Sequence, residues 1–192
     1  MTSEVSICNT ALIEANAATI TSLLEDSSSA VRCSIFYPQV RDEVLRAHPW
    51  NFAIAQQGLE LDGDAPVFEF LYKFTLPEDC LRVLKTDSNY KFKIKGRALH
   101  TDADGVKIEY IKRETDPTLY DSLFVSALST RLAHRISYAT HGDKERIQQL
   151  ATDYDTIMRE AKRRDGQEGI PDDLTADLWV NARNSWTSEG YY

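Results

Sequence analysis

Arg41-Asp42-Glu43-Val44-Leu45-Arg46-Ala47-His48-Pro49-Trp50-Asn51-Phe52-Ala53 is the stretch on which the fold turns. Its first half reads as the end of a helix with a charged outer face. His48 precedes a proline, which pushes it away from helical angles, so the helix stops there. Trp50 and Phe52 follow at once, at a junction with a strand-rich segment. An exposed Trp would mark a binding hot spot. At such a junction a core anchor is the better reading, with the two rings pinning helix to strands. The block holds no nucleophile, phosphate loop or metal spacing, which makes it architectural and not catalytic.

Upstream, a helix is expected to start near Ser27, Ser28 or Ser29, any of which can cap it. Cys33, Phe36, Tyr37, Val40, Val44 and Ala47 make its buried stripe. Pro38 removes a hydrogen bond to the carbonyl of Ser34 and predicts a kink or a break, or two short helices in place of one. A first helix over residues 4–15 places Val5, Cys8, Leu12 and Ala15 on one face, with Ser3 as its cap.

Downstream, between Phe52 and Ile111, the period changes. Short strands are expected over residues 67–74, 81–84, 91–95 and 106–111. Lys91-Phe92-Lys93-Ile94-Lys95 alternates cleanly, so one face should be wet. Asp62-Gly63-Asp64, Asp87-Ser88-Asn89, Gly96 and Asp102-Ala103-Asp104-Gly105 separate the strands as turns. The expectation is one antiparallel sheet of roughly four to six strands. Helices then resume. Asp116 caps and Pro117 opens a third, apolar along Leu123, Phe124, Ala127, Leu128, Leu132 and Ile136, and Gly142 ends it. Asp143 caps a fourth, where Ile147, Leu150, Ala151, Tyr154, Ile157, Met158 and Ala161 recur at three and four. Lys162, Arg163 and Arg164 suit its C-terminal dipole. The short connection predicts an antiparallel hairpin.

The expected fold class is therefore α+β. Residues 1–51 and 112–165 form a four-helix bundle, 52–111 an inserted small antiparallel β domain, and 166–192 an extended C-terminal arm. Leu174, Leu178, Trp179, Trp186, Tyr191 and Tyr192 are too apolar for a solvated tail and too sparse for a core. Such a segment docks on its own body or on a neighbouring chain.

Composition narrows the function. The chain has 192 residues, 42% of them hydrophobic, enough to bury a core. Its net charge of −8 argues against gripping DNA by its phosphates, which takes a basic patch. No apolar run approaches the ~18–20 residues of a membrane span, and the N-terminus lacks the features of an export signal. Cys8, Cys33 and Cys80 are odd in number and widely spaced, as expected for free thiols made in a reducing cytoplasm. Catalytic templates fall short. His134 and His141 lie two turns apart near one helix end, but two ligands without a third make a poor metal site. Glu78-Asp79 are adjacent and point apart, so they cannot flank a glycosidic bond. Asp62/Asp64 and Asp102/Asp104 lack the bidentate Glu of a calcium loop and read as turns. No catalytic residue, metal or cofactor is expected.

Three segments carry a family resemblance: Cys8-Asn9-Thr10-Ala11-Leu12; the block from Tyr37-Pro38 through Arg46 to His48-Pro49-Trp50-Asn51-Phe52-Ala53; and Tyr72-Lys73-Phe74-Thr75-Leu76-Pro77-Glu78-Asp79-Cys80-Leu81-Arg82-Val83-Leu84. Over about residues 4–165 the chain resembles the tail tubular protein A family, the head-to-tail adaptor or gatekeeper-ring proteins of short-tailed phages. The resemblance implies a structural virion protein, assembled in the host cytoplasm. It implies a homo-oligomeric ring of about twelve subunits between portal and tail nozzle, closed by heterologous contacts. Double-stranded DNA would pass through without specific binding, and an acidic lumen would let it slide. Pro38, Pro49, Trp50 and Phe52 would form the joint of bundle and insert, and the arm residues the contacts to subunit or portal. The alternative reading is a tail-associated glycan or peptidoglycan hydrolase, whose requirement is a cleft with two carboxylates about 5–10 Å apart.

Overall fold

The computed structural model describes residues 2–64, 66–140 and 142–168, without the side chains of 165–168. It is a mixed α+β fold of four helices and two small antiparallel three-stranded sheets among the described residues. The expected contacts of Leu174, Leu178, Trp179, Trp186, Tyr191 and Tyr192 lie outside the described residues, as does His141.

Helix α1 spans Glu4–Glu14. Ser3 and Ser6 cap it reciprocally: the Ser3 hydroxyl accepts from the Ser6 N–H at 3.1 Å and the Ser6 hydroxyl from the Ser3 N–H at 2.9 Å, satisfying donors that a helix start leaves open. Helix α2 runs from Ser28–Ala47 as one element with Pro38 inside it. The expectation of a break, or of two short helices, is corrected here. Pro38 and Ser34 are both exposed, so the carbonyl freed by the proline faces water and the ladder closes again around it. The helix stops as its sequence dictates, with His48 extended at φ −146, ψ 143.

After a 3-10 turn at Asn51–Ala53 come β1 (Ile54–Gly58), β2 (Tyr72–Thr75), β3 (Cys80–Thr86), β4 (Phe92–Lys95), β5 (Ala98–Thr101) and β6 (Lys107–Lys112). They form two sheets, β1-β6-β3 and β2-β5-β4, where one was expected. The segment after β1 joins them. Leu59 N–H donates to the carbonyl of Val106, just before β6 of the first sheet, and Asp62 N–H to that of Lys73 on the second. The strand expected over 67–74 is reduced to its end, because Val67 and Phe68 stand in solvent, 103% and 78% exposed. β4 is exposed on both faces, not one. β4 and β5 close a two-residue hairpin through Gly96 and Arg97. Gly96 takes φ +62, which a side chain would resist.

Asp116 and Pro117 open only a 3-10 turn, Pro117–Leu119. Helix α3 (Ser122–Ala139) starts separately, capped by Asp121, whose side chain accepts from the Leu123 N–H at 2.7 Å. The intervening Tyr120 is buried and donates its hydroxyl to the Glu114 carbonyl at 3.0 Å, so this chain corner folds inward before the helix begins. Helix α4 (Lys144–Glu168) follows, with Asp143 accepting from the Glu145 N–H at 3.1 Å.

Helix α3 packs against each of the other three helices. Ile7 and Leu12 of α1, Val44 of α2, Leu128 of α3 and Met158 of α4 belong to one apolar core. Ile111, Leu81 and Leu84 of the first sheet close that core from below. The opposite face of that sheet, with Ile108, Tyr110 and Val83, meets Phe74 and Leu99 of the second sheet in a smaller core. The first sheet is thus the middle layer. Each fully buried Leu or Ile contributes about 1.5–3 kcal/mol by leaving water.

Candidate functional site

The block 41–53 sits where α2, α3 and the first sheet meet. Trp50 is 2% exposed, and its indole Nε1–H donates to the carbonyl of Val44 at 3.0 Å. That carbonyl is one of those the last turn of α2 leaves without an intrahelical partner. The Trp50 ring meets His48 edge-on at 5.0 Å and Phe124 edge-on at 5.2 Å. Phe52 stands 5.1 Å from Phe124 and 5.6 Å from Tyr120, and Tyr120 meets Phe124 at 4.7 Å. These separations and tilts are those aromatic rings favour. The cluster joins the end of α2, the 3-10 turn after it and the start of α3. Pro49 is half-buried between His48 and Trp50. Pro38 takes no part: it is exposed, about 15 Å up the helix at 1.5 Å per residue.

The charged residues of the block face three different elements. Asp42 accepts from Arg41 at 2.9 Å and from Arg113, just past β6, at 2.7 Å. Glu43 pairs with Arg131 and, at 3.1 Å, with Arg135, both on α3. Burial works to raise the Glu43 carboxyl, but the two guanidiniums outweigh it and hold the group below the usual range. Arg46 Nη1 donates to the Leu81 carbonyl on β3 at 2.7 Å, and Arg82 Nη1 returns a bond to the Arg46 carbonyl at 3.2 Å. The residues that looked like a solvated face are the fasteners of α2.

Asn9, in the first resembling segment, has a comparable role. Its amide accepts from the Ile20 N–H at 2.8 Å and donates to the Ile20 carbonyl at 2.9 Å, pinning the loop after α1. Asp79, in the third segment, accepts from the Tyr110 hydroxyl at 3.3 Å. Burial, followed by the Asp79 charge, pushes that hydroxyl up to about 12. Glu78 is exposed.

Among the described residues no group of three or more His, Cys, Asp or Glu is gathered as a metal ion needs. No helix of the described residues is long and apolar enough to cross a membrane. His134 is half-buried, and burial, then Arg131 and Arg135, hold its pKa below the ordinary value. Two concavities flank the sheets. One of about 310 Å³ lies over Gln56, Lys85, Lys107 and Glu109 at one end of the first sheet. The other, about 350 Å³, lies between Arg46, Arg82 and Arg97.

Sequence reasoning missed one surface. Val67, Phe68 and Leu71, before β2, are exposed large apolar residues; Phe92 and Ile94 of β4 are exposed too, but on the face of that strand opposite Lys93 and Lys95. Glu69 in the same loop bonds Lys93 and Lys95 of β4 at 3.4 and 3.3 Å, drawing loop and strand together. The apolar-rich run Val67-Phe68-Glu69-Phe70-Leu71 was the available signal, and it read as part of a strand apolar on at least one face.

No family model matches the chain, and no curated protein matches it.

Proposed function

We propose that the protein is a structural component of a phage virion, a head-to-tail adaptor that forms a ring between portal and tail nozzle and lines part of the DNA channel. The observation that carries this reading is the block 41–53. It is the segment that most resembles the tail tubular protein A family, and its aromatic and charged side chains are spent on joining α2 to α3 and to β3. In this reading residues 1–51 and 112–165 are a four-helix bundle, 52–111 its β insert and 166–192 an arm. The element order helix, helix, strands, helix, helix supports it. So does the exposed apolar loop of Val67, Phe68 and Leu71, since a ring closed by heterologous contacts needs a face that the free subunit leaves uncovered. The net charge of −8 suits a channel that must not hold phosphates. Imaging of particles formed with its portal protein tests the proposal: rings of about twelve subunits seated on the portal are expected. A lumen lined mainly by Lys and Arg would refute the sliding-channel part.

A further inference from the structure

The concavity between α2, β3 and the β4–β5 turn departs from the rest of an acidic chain. Arg46, Arg82 and Arg97 stand around it, over Leu81, Val83 and Ile94, and no Asp or Glu among the described residues lines it. Each guanidinium is oriented by a neutral backbone carbonyl: Arg46 by Leu81 at 2.7 Å, Arg82 by Arg46 at 3.2 Å, Arg97 by Pro77 at 2.7 Å. A carbonyl fixes a guanidinium without cancelling its charge, and each Arg keeps further N–H donors. Among the described residues none of the three forms an ion pair. Three like charges held on an apolar floor favour an occupant that is both anionic and apolar.

The chain carries such a segment: Asp172-Asp173-Leu174-Thr175-Ala176-Asp177-Leu178-Trp179. Arg131 of α3 lies over the Tyr154 ring of α4 at 5.3 Å. The two helices follow one another through a short turn and run antiparallel, so α4 beyond Tyr154 advances toward the Phe124 end of α3. That is the end where Trp50 packs and where Arg46 leaves α2. The described part of α4 therefore ends at the end of the molecule where Arg46 stands.

We infer that residues 172–179 dock into the Arg46–Arg82–Arg97 concavity of their own chain, the aspartates pairing with the guanidiniums and the leucines and Trp179 covering Leu81, Val83 and Ile94. The contact is internal to one subunit and does not depend on the ring reading.

Hydrogen exchange of the full chain, followed by mass spectrometry at several protein concentrations, tests it. Amides of 172–179 are expected to exchange about tenfold faster in Arg82→Glu than in the parent chain. The triple change of Asp172, Asp173 and Asp177 to Asn should do the same, with α3 peptides unchanged as the control for folding. If Arg82→Glu disturbs α3, the triple variant decides. Three results would overturn the inference: 172–179 unprotected in the parent chain, protection that neither variant reduces, or protection that grows with protein concentration, which would place the segment on a second copy.

Discussion

Trp50 joins packing to hydrogen bonding in one side chain. Its ring fills the space between His48 and Phe124, and its Nε1–H satisfies the Val44 carbonyl. Trp50→Phe keeps an aromatic ring and strands that carbonyl, so a loss of about 1–2 kcal/mol is expected in denaturant unfolding. Trp50→Ala also leaves a cavity and should cost about 3–5 kcal/mol. A Trp50→Phe variant as stable as the parent would show that the indole bond is idle. Two carboxylates should titrate in opposite senses. The Glu43 carboxyl is held below its unfolded value, so its contribution is full above pH ~4.5 and is lost as pH falls through the folded value. Glu14 is the reverse: burial raises its carboxyl, against Thr130 and Arg146, and its Oε2 has no partner. The folded state then favours protonated Glu14, and stability is lost as pH rises through the raised value. Glu14→Gln should stabilise the protein at pH 7, with the gain shrinking as pH falls through the raised value and gone below pH ~4.5, whereas Glu43→Gln should destabilise it at pH 7 and flatten the acid limb of its stability profile. At this scale Trp50 and Phe52 were legible, because Pro49 fixes where the chain leaves the helix. The Glu43–Arg131 pair was not, since 88 residues separate its members and only the packing of α2 on α3 unites them.

The elements divide along similar lines. α1, α2 and α4 begin at the residues that capping chemistry names, because a cap is a local device. Pro38 was read as a lost hydrogen bond that kinks or breaks the helix, and the break does not occur, because the sequence does not say that its turn faces water. Pro38→Ala restores a donor to the Ser34 carbonyl at an exposed site. A gain of about 1–3 kcal/mol is expected by thermal or denaturant unfolding, and a loss would mean that the proline shapes α2 to fit its neighbours. The strands were less legible. β1, Ile54-Ala55-Gln56-Gln57-Gly58, carries little β-branched or aromatic character, and its place comes from pairing with β6. β5 is central to the second sheet yet reads as four ordinary residues after Gly96. Residues 67–71 have strand chemistry without strand partners, since hydropathy does not distinguish a surface awaiting a neighbour from a buried one.

The whole molecule is layered, helices on the first sheet and the first sheet on the second, with an apolar patch left uncovered on the outer one. If that patch is a ring contact, Val67→Ser with Phe68→Ser should leave unfolding stability within about 0.5 kcal/mol of the parent, because both side chains are already in water. Assembly should nevertheless be lost, and rings that form unchanged in the double variant would remove the patch from the interface. The adaptor reading as a whole is tested most directly by electron microscopy of the full chain mixed with its own portal protein, with particle mass measured in parallel. The proposal predicts rings of about twelve copies capping the portal and coaxial with its channel. A chain that stays monomeric at every concentration and leaves the portal bare would contradict it.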